Sequence, residues 1–531
     1  MLSVAATVAN VCKINRLAVK HGLTIDPEVL SVLDNIPRVT TIPGFAFTLK
    51  DYQAEGVAWL ERQDGCGLLA DEQGTGKTVQ VMAYIHKCQM LPALIVVPNT
   101  LKLNWRNEIL AMTGTAYRIN VVGKSYSRRQ TELRASRHPN VIYSKTPVPG
   151  CDLYIINYDI LSSNCAALEK LDLKFMAVDE SHKIKNPTAK RTQAVQRLAV
   201  GGYDNKTTGV QTFGPGIRRV VMMSGTPLVN RPLELWTSVN TLASWVPEFG
   251  TFTRFVWRYT NARKTPYGWD FNGANNTDEL HALLNKHVML RRLKADVLKE
   301  LPAKTYRTLP LEFDRTEYDR VEAAFKGINW AAGMQAIINM GGQVPTSDAA
   351  IVAIQKLREI AGYAKLPAVV EWIQDYTAEG EKLVVFAHNR RVIEHIKTAL
   401  ESDPDYKDAV AVIYGGVTDE ARADAVMNFQ NADSVRVIIV GINVGGFGLT
   451  LTAAKSVAFV QLPWSPGEIS QCADRIHRLG QTADSVSVWN LVAECTIEEE
   501  MADMLFNKGQ IIDAVLDAGR VVNTLDLKVQ N

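Results

Sequence analysis

Residues 70–78 read ADEQGTGKT and residues 177–182 read AVDESH. A glycine-rich turn closing on a lysine and a hydroxyl is what a polyphosphate needs. Backbone N–H groups across Gly74, Thr75 and Gly76 point inward and cradle phosphate oxygens. Lys77 then reaches the β- and γ-phosphates, and the Thr78 hydroxyl holds Mg²⁺. In the second stretch Asp179 adds a carboxylate to the metal shell and Glu180 polarises an attacking water, so the pair of stretches describes hydrolysis of a nucleotide such as ATP. One position departs from the general phosphate-loop pattern, which asks for glycine where this chain has Asp71.

Two further groups fit the same chemistry. Gln53, in TLKDYQAEGVAWL, lies 24 residues before Lys77, and an amide can donate to and accept from one edge of adenine. In QCADRIHRLGQ (471–481) Arg475 and Arg478 are three apart, which on a helix is one face. Their rigid guanidinium forks suit phosphate. Arg475 is 398 residues beyond Lys77. The two can share one ATP only if separate domains face each other and clamp it, an arginine finger being worth roughly 10³–10⁵ in rate.

Such a site needs strands to carry it. Short apolar runs recur, each ending in small, polar or proline residues: GLLA (67–70), ALIVVP (93–98), LYIIN (153–157), FMAVD (175–179), VVMMSGTP (220–227), LVVFAH (383–388), VIIVG (437–441), VAFVQLP (457–463) and VSVWNLV (486–492). Apolar runs without alternation suit strands buried on both faces. Helical patterns such as WRNEIL, RVIEHIKTAL and DEARADAVMNF lie between them, which predicts parallel sheets with right-handed crossovers. The candidate chemistry follows the ends of these strands, where open α/β sheets bind ligands.

The runs form two groups, about 46–245 and 380–495, separated by a mostly helical stretch over roughly 246–380. RRLKADVLKELPAK (291–304) reads as the crossing between lobes. Residues 201–217 and 327–348, rich in glycine and polar residues, read as surface loops. The expected division is a helical segment at 1–45, an ATP-binding lobe at 46–245, a helical insertion and crossing at 246–303, a second lobe at 304–495 that opens with a helical insertion, and a helical brace at 496–531.

Bulk properties narrow the class. A chain of 531 residues exceeds one core. A net charge of +2 neither demands nor excludes nucleic acid, so any basic surface is local. Candidates are Lys183, Lys185, Lys190 and Arg191 after DESH, and Arg291, Arg292 and Lys294 at the crossing. Seven cysteines without CxxC spacing give no zinc site and suit an intracellular protein with reduced thiols. The N-terminus is apolar first and basic afterwards, the reverse of a secretory signal. Val437–Ala454 is free of charge over 18 residues, but its glycines, threonines and asparagine fit a buried strand and functional loop rather than a membrane span.

These stretches, taken together, resemble the Swi/Snf-type ATPases of helicase superfamily two. TLKDYQ, ADEQGTGKT, VVPNTLKLNW, IINYDIL, DESHKIKN, SGTPLVNRPLELW, RRLKADVLKELPAK, VFAH, GGFGLTLTAA and QCADRIHRLGQ run in the family's order over about residues 46–500. Asp71 is usual in that family. RRLKADVLKELPAK, AKLPAVVEWI (364–373) and VFAHNRRV (385–392) look most like its distant annealing-helicase-like branch. The resemblance implies an α/β fold of two RecA-like parallel-sheet lobes in tandem, with helical insertions between them, that track along double-stranded DNA. It implies ATP and Mg²⁺ at Gln53 and residues 74–78, Gln471 near the γ-phosphate, and Arg475 and Arg478 as fingers. Its DNA contacts map onto Lys102, Trp105, Asn157, the turn of Ser224, Gly225 and Thr226, His388 and Thr450, with Trp464 a further candidate. The expected partner is duplex or forked DNA, bound by a monomer, with no membrane. The expected compartment is cytoplasm or nucleoid in a bacterial or viral setting, and the nucleus in a eukaryotic one. An ATP-gated DNA-binding scaffold and a strand-separating helicase or restriction-type motor are the alternatives.

Overall fold

The computed structural model describes residues 7–123, 138–205, 209–265, 268–325, 349–445, 449–478 and 480–520, with 330, 333 and 334 between them. The chain divides into two compact units, Met1–Leu228 with Pro232–Val297, and Val229–Arg231 with Leu298–Asn531.

In the first unit eight parallel strands form one sheet: β1 (Gly67–Leu69), β2 (Ala93–Val97), β3 (Ile119–Val122), β4 (Val141–Ser144), β5 (Leu153–Asn157), β6 (Phe175–Asp179), β9 (Val220–Met223) and β12 (Met289–Leu290). Their spatial order is β12-β1-β9-β6-β2-β5-β3-β4. The central strands are the unbroken apolar runs, buried along their length. This order sets β1, β9 and β6 side by side although they are far apart in sequence. Leu69 and Asp179 both register with Met223, so the segments leaving these three strands emerge together at one edge.

Two pieces of the first unit differ from expectation. Residues 201–217 contain an antiparallel hairpin, β7 (Gly202–Asn205) and β8 (Gly209–Thr212), rather than only loop. The stretch from 246 is helical in part: helices Phe252–Tyr259 and Thr277–His287 flank a second hairpin, β10 (Arg263–Thr265) and β11 (Gly268–Asp270), and β12 then joins the main sheet. Hairpins of three or four residues with mixed polarity carry no apolar run to reveal them. Most of the loop expected at 327–348 lies outside the described residues.

The second unit has its own six-stranded parallel sheet, built from β13 (Ala303–Leu311), β14 (Leu383–Ala387), β15 (Val410–Ile413), β16 (Val437–Gly441), β17 (Ser456–Phe459) and β18 (Ser485–Ala493). The order is β13-β18-β17-β14-β16-β15. β13 contains Pro310, which cannot donate to a ladder, and sits at an edge where that loss is tolerated. Apolar clusters cover both faces of the sheet. One is built around Phe386, Phe459 and Val488, the other around Val385, Ile396 and Ile439. The uncharged span from Val437 is strand β16 running into the turn Ile442–Gly445. Among the described residues no helix is long and apolar enough to cross a membrane.

The helix Ile497–Leu516 is tied to this sheet by a buried ion pair. Lys365 Nζ donates to Glu498 Oε2 at 2.5 Å and to the Leu491 carbonyl at 2.6 Å, and Glu498 Oε2 also accepts from the Ala493 backbone at 2.9 Å. Lys365 is fully buried and Glu498 nearly so. Such a pair adds little over an apolar isostere, yet removing one partner strands the other's charge at a cost of about 3–5 kcal/mol. Lys365→Met is therefore expected to lower the denaturant midpoint of the second unit's unfolding transition by that order, and adding Glu498→Gln to recover most of it. An unchanged midpoint for the single variant contradicts the assignment.

Candidate nucleotide-phosphate site

The loop after β1 is held open from below. Asp71, fully buried, receives a two-pronged bond from Arg292: Nη2 to Oδ2 at 2.5 Å and Nε to Oδ1 at 3.0 Å. Gln80 Nε2 donates to the same Oδ2 at 3.1 Å, and Arg292 Nη2 also reaches Gln80 Oε1 at 2.9 Å. Arg291 donates to the carbonyls of Ala70 and Gly225 at 3.0 and 3.2 Å. The two arginines expected at a lobe crossing, with a phosphate-binding groove in view, thus spend their donors on the frame of the loop. They follow β12, which lies against β1, and so arrive beside residues 70–72. The backbone of Lys294, itself buried, donates to Glu72 Oε2 at 2.8 Å.

The loop itself is shaped by glycine. Gly76 has φ +83°, a left-handed conformation open to glycine at little cost, and a Cβ there would stand 2.4 Å from Gln53 Nε2. It immediately precedes the helix Lys77–Lys87, whose exposed N–H groups and dipole favour an anion. Thr78 is the second residue of that helix. Gln53 braces the turn from the side: Nε2 donates to the Thr75 carbonyl at 3.1 Å, Oε1 accepts from the Lys50 backbone at 3.0 Å, and Tyr52 Oη reaches the same Thr75 carbonyl at 2.8 Å. Lys77 Nζ lies back on the carbonyls of Asp71 and Glu72 at 2.7 and 3.1 Å. Removal from water pulls its pKa down, while Glu180, Asp71 and Asp179 pull the other way.

Two strands away, the acidic pair has partners of its own. Trp105 Nε1 donates to Asp179 Oδ2 at 2.8 Å and the Glu180 backbone donates to Oδ1 at 2.9 Å. Removal from water, then the adjacent Glu180 charge, raises the Asp179 carboxyl to about 7 despite those bonds. Glu180 has φ +50°, an uncommon conformation for a residue with a side chain and one that clusters at functional sites. Its Oε1 accepts from Gln73 Nε2 at 3.3 Å, which ties it to the phosphate loop. Its Oε2 is 3.3 Å from His182 Nδ1, and that nitrogen is 3.2 Å from Ser224 Oγ. Gly225, next in that turn, comes so close to the loop that a Cβ would lie 2.4 Å from Gln73 Cγ. Lys77 thus lies within electrostatic reach of both Asp179 and Glu180, with Thr78 next to it on the helix. Hydroxyl and carboxylate oxygens are the hard donors that Mg²⁺ prefers, and a carboxyl pushed up by removal from water and by the neighbouring Glu180 charge fits a cation.

Other expected residues fall elsewhere in the first unit. Lys102 is buried, donating to Asn157 Oδ1 at 2.8 Å and the Val122 carbonyl at 3.1 Å. Trp105 is buried at Asp179. For Lys102, Trp105 and Asn157 to meet DNA these bonds would have to open. Lys185 pairs with Glu234 at 2.9 Å.

In the second unit the helix Pro466–Ala473 ends before both arginines of QCADRIHRLGQ. Arg475 and Arg478 lie in the turns beyond it, not on one helical face. Asp474, fully buried and held by Lys304 at 2.8 Å, ends the helix there. Arg475 is buried, and its carbonyl accepts from the Leu451 backbone at 2.9 Å. Arg478 Nε bonds the Asp474 carbonyl at 2.9 Å and Nη1 reaches Thr450 Oγ1 at 3.4 Å. Gln471 is buried on the helix. Gly446, Phe447 and Gly448 of the glycine-rich stretch lie outside the described residues. At the ends of β14 and β17, Gln461 Oε1 accepts from the backbones of His388 and Asn389, both at 3.0 Å. The Arg358 guanidinium lies 4.2 Å from the Trp464 ring centroid and bonds the Leu462 carbonyl. Burial lowers Arg358 to about 10, and burial together with that arginine holds His388 down at about 4, so its imidazole is neutral at pH 7. Sequence reading singled out neither Arg358 nor the bond between Trp105 and Asp179.

Fold and site together define an α/β protein of two parallel-sheet lobes, the first with a glycine-rich loop opening a helix and an acidic pair two strands away. Residues 52–360 match the SNF2-related domain family and residues 364–480 the family described as helicase conserved C-terminal domain. The chain belongs to the SNF2-related family. It is 32% identical over 483 residues to the mouse protein named DNA annealing helicase and endonuclease ZRANB3, a match covering 88% of this chain and 41% of that protein. It is 29% identical over 540 residues to the Caenorhabditis elegans homolog of SWI/SNF-related matrix-associated actin-dependent regulator of chromatin subfamily A-like protein 1, covering 98% of this chain and 70% of the relative. The chain spans less than half the length of the first of these. Among solved structures, the Sulfolobus solfataricus SWI2/SNF2 ATPase core in complex with dsDNA matches at 21% identity with a TM-score of 0.38, covering 92% of this chain and all of that one.

Two expectations follow. Arg292→Ala leaves the buried Asp71 carboxylate with its Gln80 bond but no bonded counter-charge, a loss of about 3–5 kcal/mol. Arg292→Lys recovers little, because one ammonium cannot replace a fork. Thermal unfolding and fluorescent-nucleotide binding check both. Asp179 carries a pH signature in metal-free protein. A carboxyl whose folded pKa is raised binds its proton more tightly when folded, so stability is fullest below the unfolded pKa, near 4, and is lost as pH rises through about 7. Asp179→Asn should then raise the unfolding temperature more at pH 8 than at pH 5, and equal shifts at the two values would refute this account.

Proposed function

We propose that this chain is a DNA-stimulated ATPase that translocates on double-stranded DNA and remodels DNA or protein–DNA complexes, fork remodelling and strand annealing included. One observation carries the reading: in a SNF2-related chain, Glu180 is bonded to the phosphate loop through Gln73 on one side and linked through His182 to Ser224 on the other. The residue best placed to activate water is therefore bonded to the segment proposed to hold the nucleotide and stands one side chain away from a turn proposed to touch DNA. The names of the relatives, an annealing helicase and chromatin regulators, support DNA as the substrate.

In this mechanism the triphosphate lies over residues 74–78 at the helix N-terminus. Lys77 exchanges its bonds to the Asp71 and Glu72 carbonyls for phosphate oxygens. Gln53 braces the turn at Thr75 and is proposed to read adenine. Thr78 and Asp179 would hold Mg²⁺, which when bound neutralises phosphate charge. Glu180, as a carboxylate, orients the attacking water and accepts its proton. Gln471, Arg475 and Arg478 are proposed to supply contacts to the transferring phosphoryl group from the second unit. The Ser224–Gly225–Thr226 turn, His388, Thr450 and Trp464 are the proposed backbone contacts, with Lys102, Trp105 and Asn157 behind them.

Glu180→Gln keeps the shape and the Gln73 contact but cannot take a proton. It should bind ATP and duplex DNA like the native chain, with turnover reduced at least 100-fold, the order by which general-base groups act. In a triplex-displacement assay the native chain strips the third strand only with ATP and the variant does not. Hydrolysis without displacement by the native chain would support an ATP-gated scaffold instead, and native-rate hydrolysis by the variant would remove Glu180 from its role.

A further inference from the structure

The ATP site makes no use of an aromatic surface on the first unit. The helix Phe252–Tyr259 is two-faced: Phe255, Val256 and Tyr259 are buried, while Arg254, Trp257 and Arg258 face water. The hairpin β10–β11 brings Trp269 against Trp257, edge to face with centroids 4.5 Å apart, and Phe271 lies 6.5 Å from Trp257. Trp257 remains 46% exposed and Trp269 49%. Large rings side by side in water are what a binding surface presents rather than what a core requires.

Charge says what would cover them. From 250 to 276 the chain carries Arg254, Arg258, Arg263 and Lys264 against one carboxylate, Asp270. Lys264 stands directly across the ladder from Trp269, and Arg263 across from Asp270. Arg258 is engaged by Glu279. Arg254, Arg263 and Lys264 are exposed and make no ion pair among the described residues. Cations bracketing accessible indole faces match a polymer that alternates phosphates with flat unsaturated rings. A duplex keeps its base faces stacked inside and would meet the cations alone. An unpaired strand offers both parts, with bases stacking on the indoles and phosphates on the basic groups.

We infer that the Trp257–Trp269 platform on the β10–β11 hairpin is a binding site for single-stranded DNA. It rests on the translocase reading only for the source of the strand, the unpaired DNA that remodelling exposes.

The test is fluorescence anisotropy of a labelled oligodeoxythymidine with the full chain, without nucleotide, beside the same titration with a blunt duplex. The double variant Trp257→Ala with Trp269→Ala should lose about tenfold or more in single-strand affinity, the order of one base–aromatic stack. Its duplex affinity should change less than about threefold. Trp257→Phe with Trp269→Phe keeps the rings and should restore most of the strand binding, which separates lost stacking from a misfolded hairpin. Arg263→Ala with Lys264→Ala should flatten the salt dependence of strand binding by about 0.7 per cation in the log–log slope. Native strand affinity in the alanine pair overturns the site, as does an equal loss for strand and duplex. So does a phenylalanine pair as weak as the alanine pair while circular dichroism and nucleotide binding remain native. Because strand binding is read without ATP, a chain that hydrolyses nothing gives the same test. A translocase indifferent to single strands sinks this inference alone.

Discussion

The first unit depends on a buried charge and the fork that answers it. A phosphate loop is ordinarily opened by glycine, because backbone must pass close to backbone. Here the position holds Asp71, fully buried, whose carboxylate could not stay ionised there without a partner. Arg292 supplies one with two parallel bonds, and Gln80 adds a third from the helix that follows the loop. Arg292 comes from more than 200 residues away in the chain, so this contact closes the first unit and shapes its loop at once. It also explains why a strand of only two residues, β12, sits at the sheet edge next to β1: it delivers Arg291 and Arg292 to the loop.

What that frame leaves unbalanced is above the loop. Asp71 is matched by the Arg292 fork, whereas Asp179 and Glu180 lie beside each other with Lys77 within electrostatic reach. The consequence is visible in opposite directions, with Asp179 held well above the carboxylate range and Lys77 drawn below the amine range by loss of water. Two carboxyls crowded together out of water are costly when both are charged, and a cation beside them would relieve that cost. Structural stability is thereby traded for readiness, as at strained functional sites generally.

The sequence makes most of the strands buried on both faces legible, since continuous apolar runs have few other uses, while buried β3 is interrupted by Asn120. All nine such runs are strands. β3, β4 and β15 were missed because they are short and near sheet edges, and β13 because its polar alternation and Pro310 look like linker. That residues 70–78, 179–182 and 224–226 leave neighbouring strands was legible in outline, because β1, β6 and β9 end in loops with distinctive residues. Their wiring was not. Arg291 and Arg292 look from sequence like surface cations, and Trp105 like a packing residue or a DNA contact. Only the fold shows that a bond to Ala70, a fork on Asp71 and an indole N–H on Asp179 are where they go. The arginines after Gln471 show the same limit. Spacing of three fits a helix face, but the fully buried Asp474 ends the helix first.

His182 stands between Glu180 and Ser224, 3.3 Å from the carboxylate and 3.2 Å from the hydroxyl. A histidine ring nitrogen can donate to only one acceptor at a time, and here Nδ1 sits within reach of both the carboxylate and the hydroxyl. When Glu180 turns toward a water above the loop, Nδ1 is released to Ser224. When the Ser224 turn is drawn away, Nδ1 is left to Glu180 alone. Neither event needs a large movement, because Gly225 already lies against Gln73 and any shift of one segment displaces the other. Close packing makes the exchange discrete rather than graded. Nδ1 is thus shared between the two segments, and a change in position of either Glu180 or the Ser224 turn bears on the other.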